Sequence, residues 1–276
     1  MAGCPGAPSE GRLNSTGETG RTAALGATGV RVALADRQPT FWARVERGAW
    51  EPHTLAAVAA IAGPGMAFLD VGAWVGPTAL LAAARGARVL ALEPDPAARE
   101  QLLANLAANP DLRARVAVSD RALAAGTGPV RLGARRKPGD SMSSVLFEDA
   151  PEGWLVPTVT VDALAADLSS GEPLLAKVDV EGAEYDVGPL LPRLGEGRPF
   201  ALLLSLHPGL YAEARGPQAL RDAAGRLAHA FAGYAALCAA EGAWLPAEAS
   251  RGLQGEEPSD WLLFNEAGSR LVAALH

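Results

Sequence analysis

Cysteine is almost missing from this chain: two in 276 residues, Cys4 in a Gly/Ser/Pro-rich start and Cys238 inside an apolar pattern of helical spacing. Two thiols in such different settings make no disulfide framework, which fits reducing surroundings, and Cys238 on an apolar face reads as core. Long apolar runs are missing too, and residues 1–10 lack both the basic segment and the apolar core of a signal peptide. A membrane-spanning or exported protein is therefore not expected, and the cytoplasm is. Positive charge is short: 24 Lys and Arg stand against 31 Asp and Glu, a formal net charge of −7. With no basic stripe, nucleic acid is excluded as an expected substrate.

What is present is enough apolar residue, 49%, to fill the core of one large α/β domain with a decorated N-terminus. Residues 1–27, rich in Gly, Ser, Thr and Ala, read as a disordered tail, residues 28–65 as a lead-in, and residues 66–276 as the domain. In the lead-in, Val30–Ala35 alternates like a strand, and Phe41, Trp42 and Trp50 precede a helix over about 51–61. From Met66 strands and helices alternate, which predicts a parallel sheet with helices on both faces. Strands are expected at 66–71, 89–93, 115–118, 174–180 and 200–206, with an inserted pair at 130–132 and 155–161 and Asp162 capping a short helix. Leu220, Ala224, Leu227, Phe231, Tyr234 and Cys238, at steps of 4, 3, 4, 3, 4, predict one long helix, after which Trp244–Leu245 and Trp261–Phe264 form a closing pair of strands.

The most telling stretch is Asp70-Val-Gly72-Ala73-Trp74-Val-Gly76-Pro77, where an apolar strand turns into a helix with Pro77 at its first position. Glycines here let the main chain approach a ligand and leave helix N–H groups facing it. The dinucleotide fingerprint needs three glycines; this loop lacks the third, which argues against a nicotinamide oxidoreductase. Asp70 would repel a diphosphate but suits a ligand with an ammonium or sulfonium group, and Glu93 at the end of the next strand can take a ribose diol. S-adenosylmethionine meets these demands. Asp120, after the third strand, is a candidate for the adenine amino group.

A second motif, Lys177-Val-Asp179-Val-Glu181-Gly182-Ala-Glu184, closes the fourth strand, where open α/β sheets bind ligands. Asp179 pairing with Lys177, and Glu184 serving only the helix N-terminus, are the plain alternatives to a role in a site. Together with Glu93-Pro94, the two motifs resemble the FkbM family of S-adenosylmethionine-dependent methyltransferases in order and content over roughly residues 66 to 195. The resemblance implies the class I methyltransferase (Rossmann-like) fold, a mostly parallel seven-stranded sheet with its last strand antiparallel, and O-methylation of a small molecule or sugar. Cofactor contacts are expected from Asp70, Gly72, Ala73, Trp74, Gly76, Glu93, Asp120 and Asp179. Trp74 departs from the family, which commonly has Asn there; it either meets the cofactor or fills a gap toward Trp42 and Trp50. Ser141, Ser143 and Ser144 fall in the inserted loop, as in the family.

Removing the acceptor's hydroxyl proton needs a base at the rim of the sheet, and His207, Asp179 and Glu181 are the catalytic candidates, His207 for its ordinary pKa near neutrality. A divalent ion on the same three residues is weighed below this, because no further close-spaced acid follows strand five. A noncatalytic nucleoside-binding protein or scaffold with this fold is the other reading.

Overall fold

The computed structural model describes residues 21–35, 38–168, 171–240 and 243–275. Eight strands form the central sheet: β1 (Ala67–Val71), β2 (Arg88–Leu92), β3 (Val116–Ser119), β4 (Leu174–Val178), β5 (Phe200–Leu206), β6 (Ala235–Ala240), β7 (Ala243–Ala247) and β8 (Ser259–Phe264). Their order is β7-β6-β8-β5-β4-β1-β2-β3. The five strands from β5 to β3 are parallel neighbours, and β8 lies antiparallel to both β5 and β6. The seven strands expected are corrected to eight by β7, an added antiparallel edge strand on β6.

β1 and β4 are buried along their whole length, which is why they read as continuous apolar runs rather than alternating ones. Period two still sorts their side chains. Leu69, Val71, Ala176 and Leu204 face one apolar layer, and Phe68, Leu175 and Leu203 the other. Helices cover both layers: α2 (Pro52–Ile61) and α3 (Pro77–Ala84) one, α6 (Pro217–Ala230) the other. α3 is apolar around its whole circumference and is buried from Pro77 to Ala83.

Local chemistry sets the boundaries. Asp95 caps α4 (Pro96–Ala107), its carboxylate accepting from the N–H groups of Ala97 and Ala98 at 2.8 and 3.3 Å. α5 (Val161–Asp167) is capped by Thr160, whose hydroxyl oxygen accepts from Ala163 N, and not by Asp162 as expected. α6 stops at Ala230, so the long-helix expectation fails beyond it. Cys238 lies on β6, half-buried, and Trp244 and Trp261 sit on strands that flank β6 instead of pairing with each other. Val130–Ala134 pairs with Gly153–Val156 and with Ser143–Ser144, but the second strand expected over 155–161 is divided, because Thr158–Val159 pairs parallel with Ala122–Leu123 and a helix begins at Val161.

Arg21–Ala24, inside the stretch expected as tail to residue 27, pairs antiparallel with Arg31–Leu34. The first twenty residues, Cys4 among them, lie outside the described residues. Asn109 exchanges hydrogen bonds with both the N–H and the carbonyl of Ala33, and Asn105 bridges Ala35 N to Val75 O. These bonds tie the lead-in to α4 and to the glycine loop. α1 (Pro39–Glu46) follows with Phe41, Trp42 and Val45 buried against the same layer as α3.

Candidate active site

The loop after β1 and the segment after β4 meet over the C-terminal ends of the parallel strands. Gly72 adopts φ +79, its N–H and that of Ala73 donate to the Leu92 carbonyl at 3.0 and 3.1 Å, and Asp179 N donates to Val71 O at 3.1 Å. A Cβ on Gly72 would fall well inside contact distance of the Asp179 carbonyl oxygen, so only glycine lets the two segments approach this closely. Above them opens a cavity of about 480 Å³ that runs from Glu93 and Arg121 at one end to Glu51 and Asp260 at the other, past Gly72, Trp74, Asp179, Glu181 and His207.

At the Glu93 end the expected residues divide. Gly72, Ala73, Trp74 and Glu93 line the cavity. Glu93 is 6% exposed, and its carboxylate accepts from Trp74 N at 2.6 Å and Asp95 N at 2.8 Å; burial pushes it up to about 7. Asp70 lies beneath the loop instead of in the wall. One of its oxygens accepts from the Thr78 hydroxyl at 2.7 Å, the other is buried without a partner, and burial holds its carboxyl above the ordinary range against the pull of Lys177. Gly76 packs against Leu102 and supports the turn from below. Asp120 is exposed and outside the wall; Arg121 and Ala122 take the place expected for it, because β3 ends one residue before and the chain turns away.

Trp74 holds a left-handed backbone, φ +48. Its Nε1 donates to Gly139 O at 3.0 Å, and its ring stands edge-on to Phe41 with centroids 4.3 Å apart; Phe41 in turn meets Trp42 and Trp50. Of the two readings of Trp74, the packing one describes its observed contacts. The serine loop closes over it: Ser143 Oγ donates to Asp95 Oδ2 at 2.9 Å, and Ser144 Oγ to Val180 O at 3.3 Å.

The centre of the cavity is a network of charges. Lys177 is 3% exposed and donates to Asp179 Oδ2 at 3.1 Å; burial works against its charge, but Asp179, Asp70 and Glu51 outweigh that and hold it well above its ordinary value. Asp179 is pulled below its ordinary value, because Lys177 and then His207 overcome the effect of burial. Glu184 is fully buried, its two oxygens accepting from Val180 N at 2.7 Å and Gly182 N at 2.8 Å, and His207 Nδ1 lies 3.2 Å from Oε1. His207 Nε2 stands 3.9 Å from both an Asp179 and a Glu181 oxygen. Burial works against a charged His207, yet the Glu184 bond and the three carboxylates push it up to about 10. Glu181, at φ +53, is pushed up to about 7 by burial and by the neighbouring Asp179 charge.

These contacts favour the protonated imidazole near neutrality, with Nε2 facing Asp179 and Glu181 as a donor. Glu181, half-ionised near neutrality, is the group here whose pKa suits proton removal. Asp179, Glu184 and His207 do present ligand atoms within 4.8 Å of one another. Glu184's oxygens are committed to two backbone N–H groups and the imidazole, so the donor set suits a histidinium held among carboxylates better than an ion. Glu51, Ser205 and Asp260 also line the cavity, and no motif in the sequence marks them.

Residues 70–187 match the model of the Methyltransferase FkbM domain. No curated protein matches. Among solved structures, the precorrin-6Y C5,15-methyltransferase from Geobacter metallireducens GS-15 is similar at 14% identity and TM-score 0.38, over 77% of this chain and 84% of that one. An O-methyltransferase from Bacillus cereus in complex with SAH is similar at 11% identity and TM-score 0.43, over 78% and 80%. The bifunctional kinase-methyltransferase WbdD is similar at 14% identity and TM-score 0.48, over 83% of this chain but only 42% of that one.

Proposed function

We propose that this chain, a methyltransferase whose FkbM domain spans residues 70–187, uses S-adenosylmethionine to methylate a hydroxyl of a small molecule or sugar. The observation that carries this is a single cavity holding both a glycine-loop cradle with Glu93 and, across from it, a carboxylate poised near neutrality. The cradle fits the cofactor: Gly72 keeps the floor free of a side chain, Glu93 offers a ribose diol its remaining lone pairs, and the acidic lining favours a ligand with ammonium and sulfonium charge. When bound, S-adenosylmethionine supplies a methyl group on a cationic sulfur that leaves as a neutral thioether.

The protein's own part is alignment and proton removal. Glu181 accepts the hydroxyl proton of the acceptor. The His207 cation, anchored by Glu184, offers its Nε2 side to Asp179 and Glu181 and keeps both carboxylates from swinging apart. Lys177 neutralises Asp179 from below. With no membrane-spanning helix among the described residues and a net charge of −7, a cytoplasmic site and an acceptor other than nucleic acid or membrane complete the reading. Calorimetry with S-adenosylmethionine and mass spectrometry of an extract incubated with methyl-labelled cofactor test it. A labelled O-methyl product is expected. Absence of cofactor binding at millimolar concentration overturns the reading, binding without turnover favours the scaffold, and an N-methyl product reassigns the acceptor atom.

A further inference from the structure

The end of the cavity away from Glu93 is built by residues outside the two sequence motifs, and Glu51 is unusual there in two independent ways. Its backbone is in the left-handed region, φ +37, a conformation that costs a non-glycine residue and persists where surrounding structure imposes it. Its Oε2 is buried and has no hydrogen-bond partner, although Glu51 lines the cavity. A buried carboxylate oxygen left unsatisfied is costly, so a donor from a ligand is the missing element.

Position separates Asp260 from the glycine loop. Asp260 lies on β8, paired in register with Ser205 of β5, whose hydroxyl donates to Asp260 Oδ1 at 2.8 Å. From β8 to β1 there are three strand spacings in the sheet order, about 14 Å at about 4.8 Å each. This sets Asp260 away from the glycine loop, and Glu51, close enough for both Asp260 and Asp179 to act on it, reaches from there toward the centre of the cavity. Charge then selects the donor. Glu51 and Asp260 are near enough for the Asp260 charge to act on Glu51, Asp179 acts on it as well, and the one buried cation beside them, Lys177, is bonded to Asp179. Burial, reinforced by the Asp179 and Asp260 charges, pushes Glu51 up to about 8 against the pull of Lys177, so the nearby Lys177 does not offset the negative charge gathered here. A neutral hydroxyl supplies one donor and no charge, whereas an ammonium supplies three donors and the charge that two carboxylates lack.

We propose that Glu51 and Asp260 form the recognition site for a positively charged amino group on the methyl acceptor, so that the substrate is an amino-bearing alcohol such as an amino sugar or aminocyclitol. This rests on the methyl-transfer reading above, and adds to it which hydroxyl compound is chosen.

The test is saturation-transfer NMR and labelled methyl transfer on the full chain in the presence of S-adenosylhomocysteine or S-adenosylmethionine, using glucosamine against glucose as the matched pair. The amino sugar is expected to bind at least tenfold more tightly than the neutral one, and Glu51→Gln and Asp260→Asn each to erase that preference while cofactor affinity, read by calorimetry, stays unchanged. Equal binding of both sugars, binding of neither at tens of millimolar, or a preference retained in Glu51→Gln overturns the assignment. Circular dichroism of each variant confirms that it is folded. Loss of cofactor binding by the unmodified protein would instead refute the methyl-transfer reading, so the two failures are distinguishable.

Discussion

Replacing Gly72 and Gly76 by alanine, one at a time, separates backbone conformation from close approach. Both glycines have positive φ, +79 and +91, so each alanine incurs the left-handed cost, about 1–2 kcal/mol. What the new methyl meets differs. At Gly76 it presses on Leu102 Cδ1, the end of a side chain that can rotate away; at Gly72 it presses on the carbonyl oxygen of Asp179, which is part of the backbone and is fixed by Asp179 N bonding to Val71 O. Forcing those segments apart adds an overpacking cost of about 2 kcal/mol. Gly76→Ala should therefore cost about 1.5 kcal/mol and Gly72→Ala about 3.5 kcal/mol. At roughly 3 °C per kcal/mol for a domain of this size, the two melting temperatures should lie about 6 °C apart. Gly72→Ala should also weaken S-adenosylmethionine binding by more than tenfold, because the displaced loop and the Asp179 segment are two walls of one cavity. Differential scanning fluorimetry and calorimetry read both effects. Equal melting temperatures, with cofactor affinity preserved in Gly72→Ala, would refute the idea that close approach, and not φ alone, reserves position 72 for glycine.

Glu181→Gln should lower kcat by 10²–10⁴-fold with cofactor affinity within a factor of three; in the unmodified enzyme the rate should rise with pH through about 7 as Glu181 ionises, a limb the variant lacks. A retained limb assigns the proton transfer elsewhere. His207 has a folded-state pKa raised above its unfolded value of 6.5, so its stabilisation is fully present below about 6.5 and is lost as pH rises toward 10. The stability difference between the unmodified protein and His207→Asn, measured by urea unfolding, should be flat well below pH 6.5 and shrink steadily from there to pH 10; a difference that grows with pH contradicts the histidinium assignment. Lys177→Met leaves Asp179 and Asp70 buried without their shared cation, and should cost about 3–5 kcal/mol, read as a loss of at least 8 °C in melting temperature. A neutral outcome would mean that the two acids take up protons at little cost.

The parts of this site that were readable from sequence are those fixed by their immediate neighbours in the chain. Gly72 and Gly76 mark left-handed turns at a strand end, Glu93 closes β2, and Asp95-Pro96 starts α4, each a constraint spanning a few residues. The misread helix beyond Ala230 shows the opposite case. Ala235-Ala-Leu-Cys-Ala-Ala240 has helical propensity and an apolar spacing continuous with α6, but the slot between β7 and β8 makes it a strand, because there its N–H and carbonyl groups pair on both sides. The charge state of His207 was hidden for a similar reason. Its ordinary pKa follows from residue type, whereas the upward shift follows from Glu184, Asp179 and Glu181, brought to it from a different strand end across the β4–β5 pairing. Glu51 and Asp260 are separated by over two hundred residues and belong to no motif, yet both open onto the same cavity. Short motifs record what the cofactor and the transferred group require, since those are held by single loops. The acceptor is met by side chains gathered from both ends of the chain, so its chemistry has to be inferred from the charge they share.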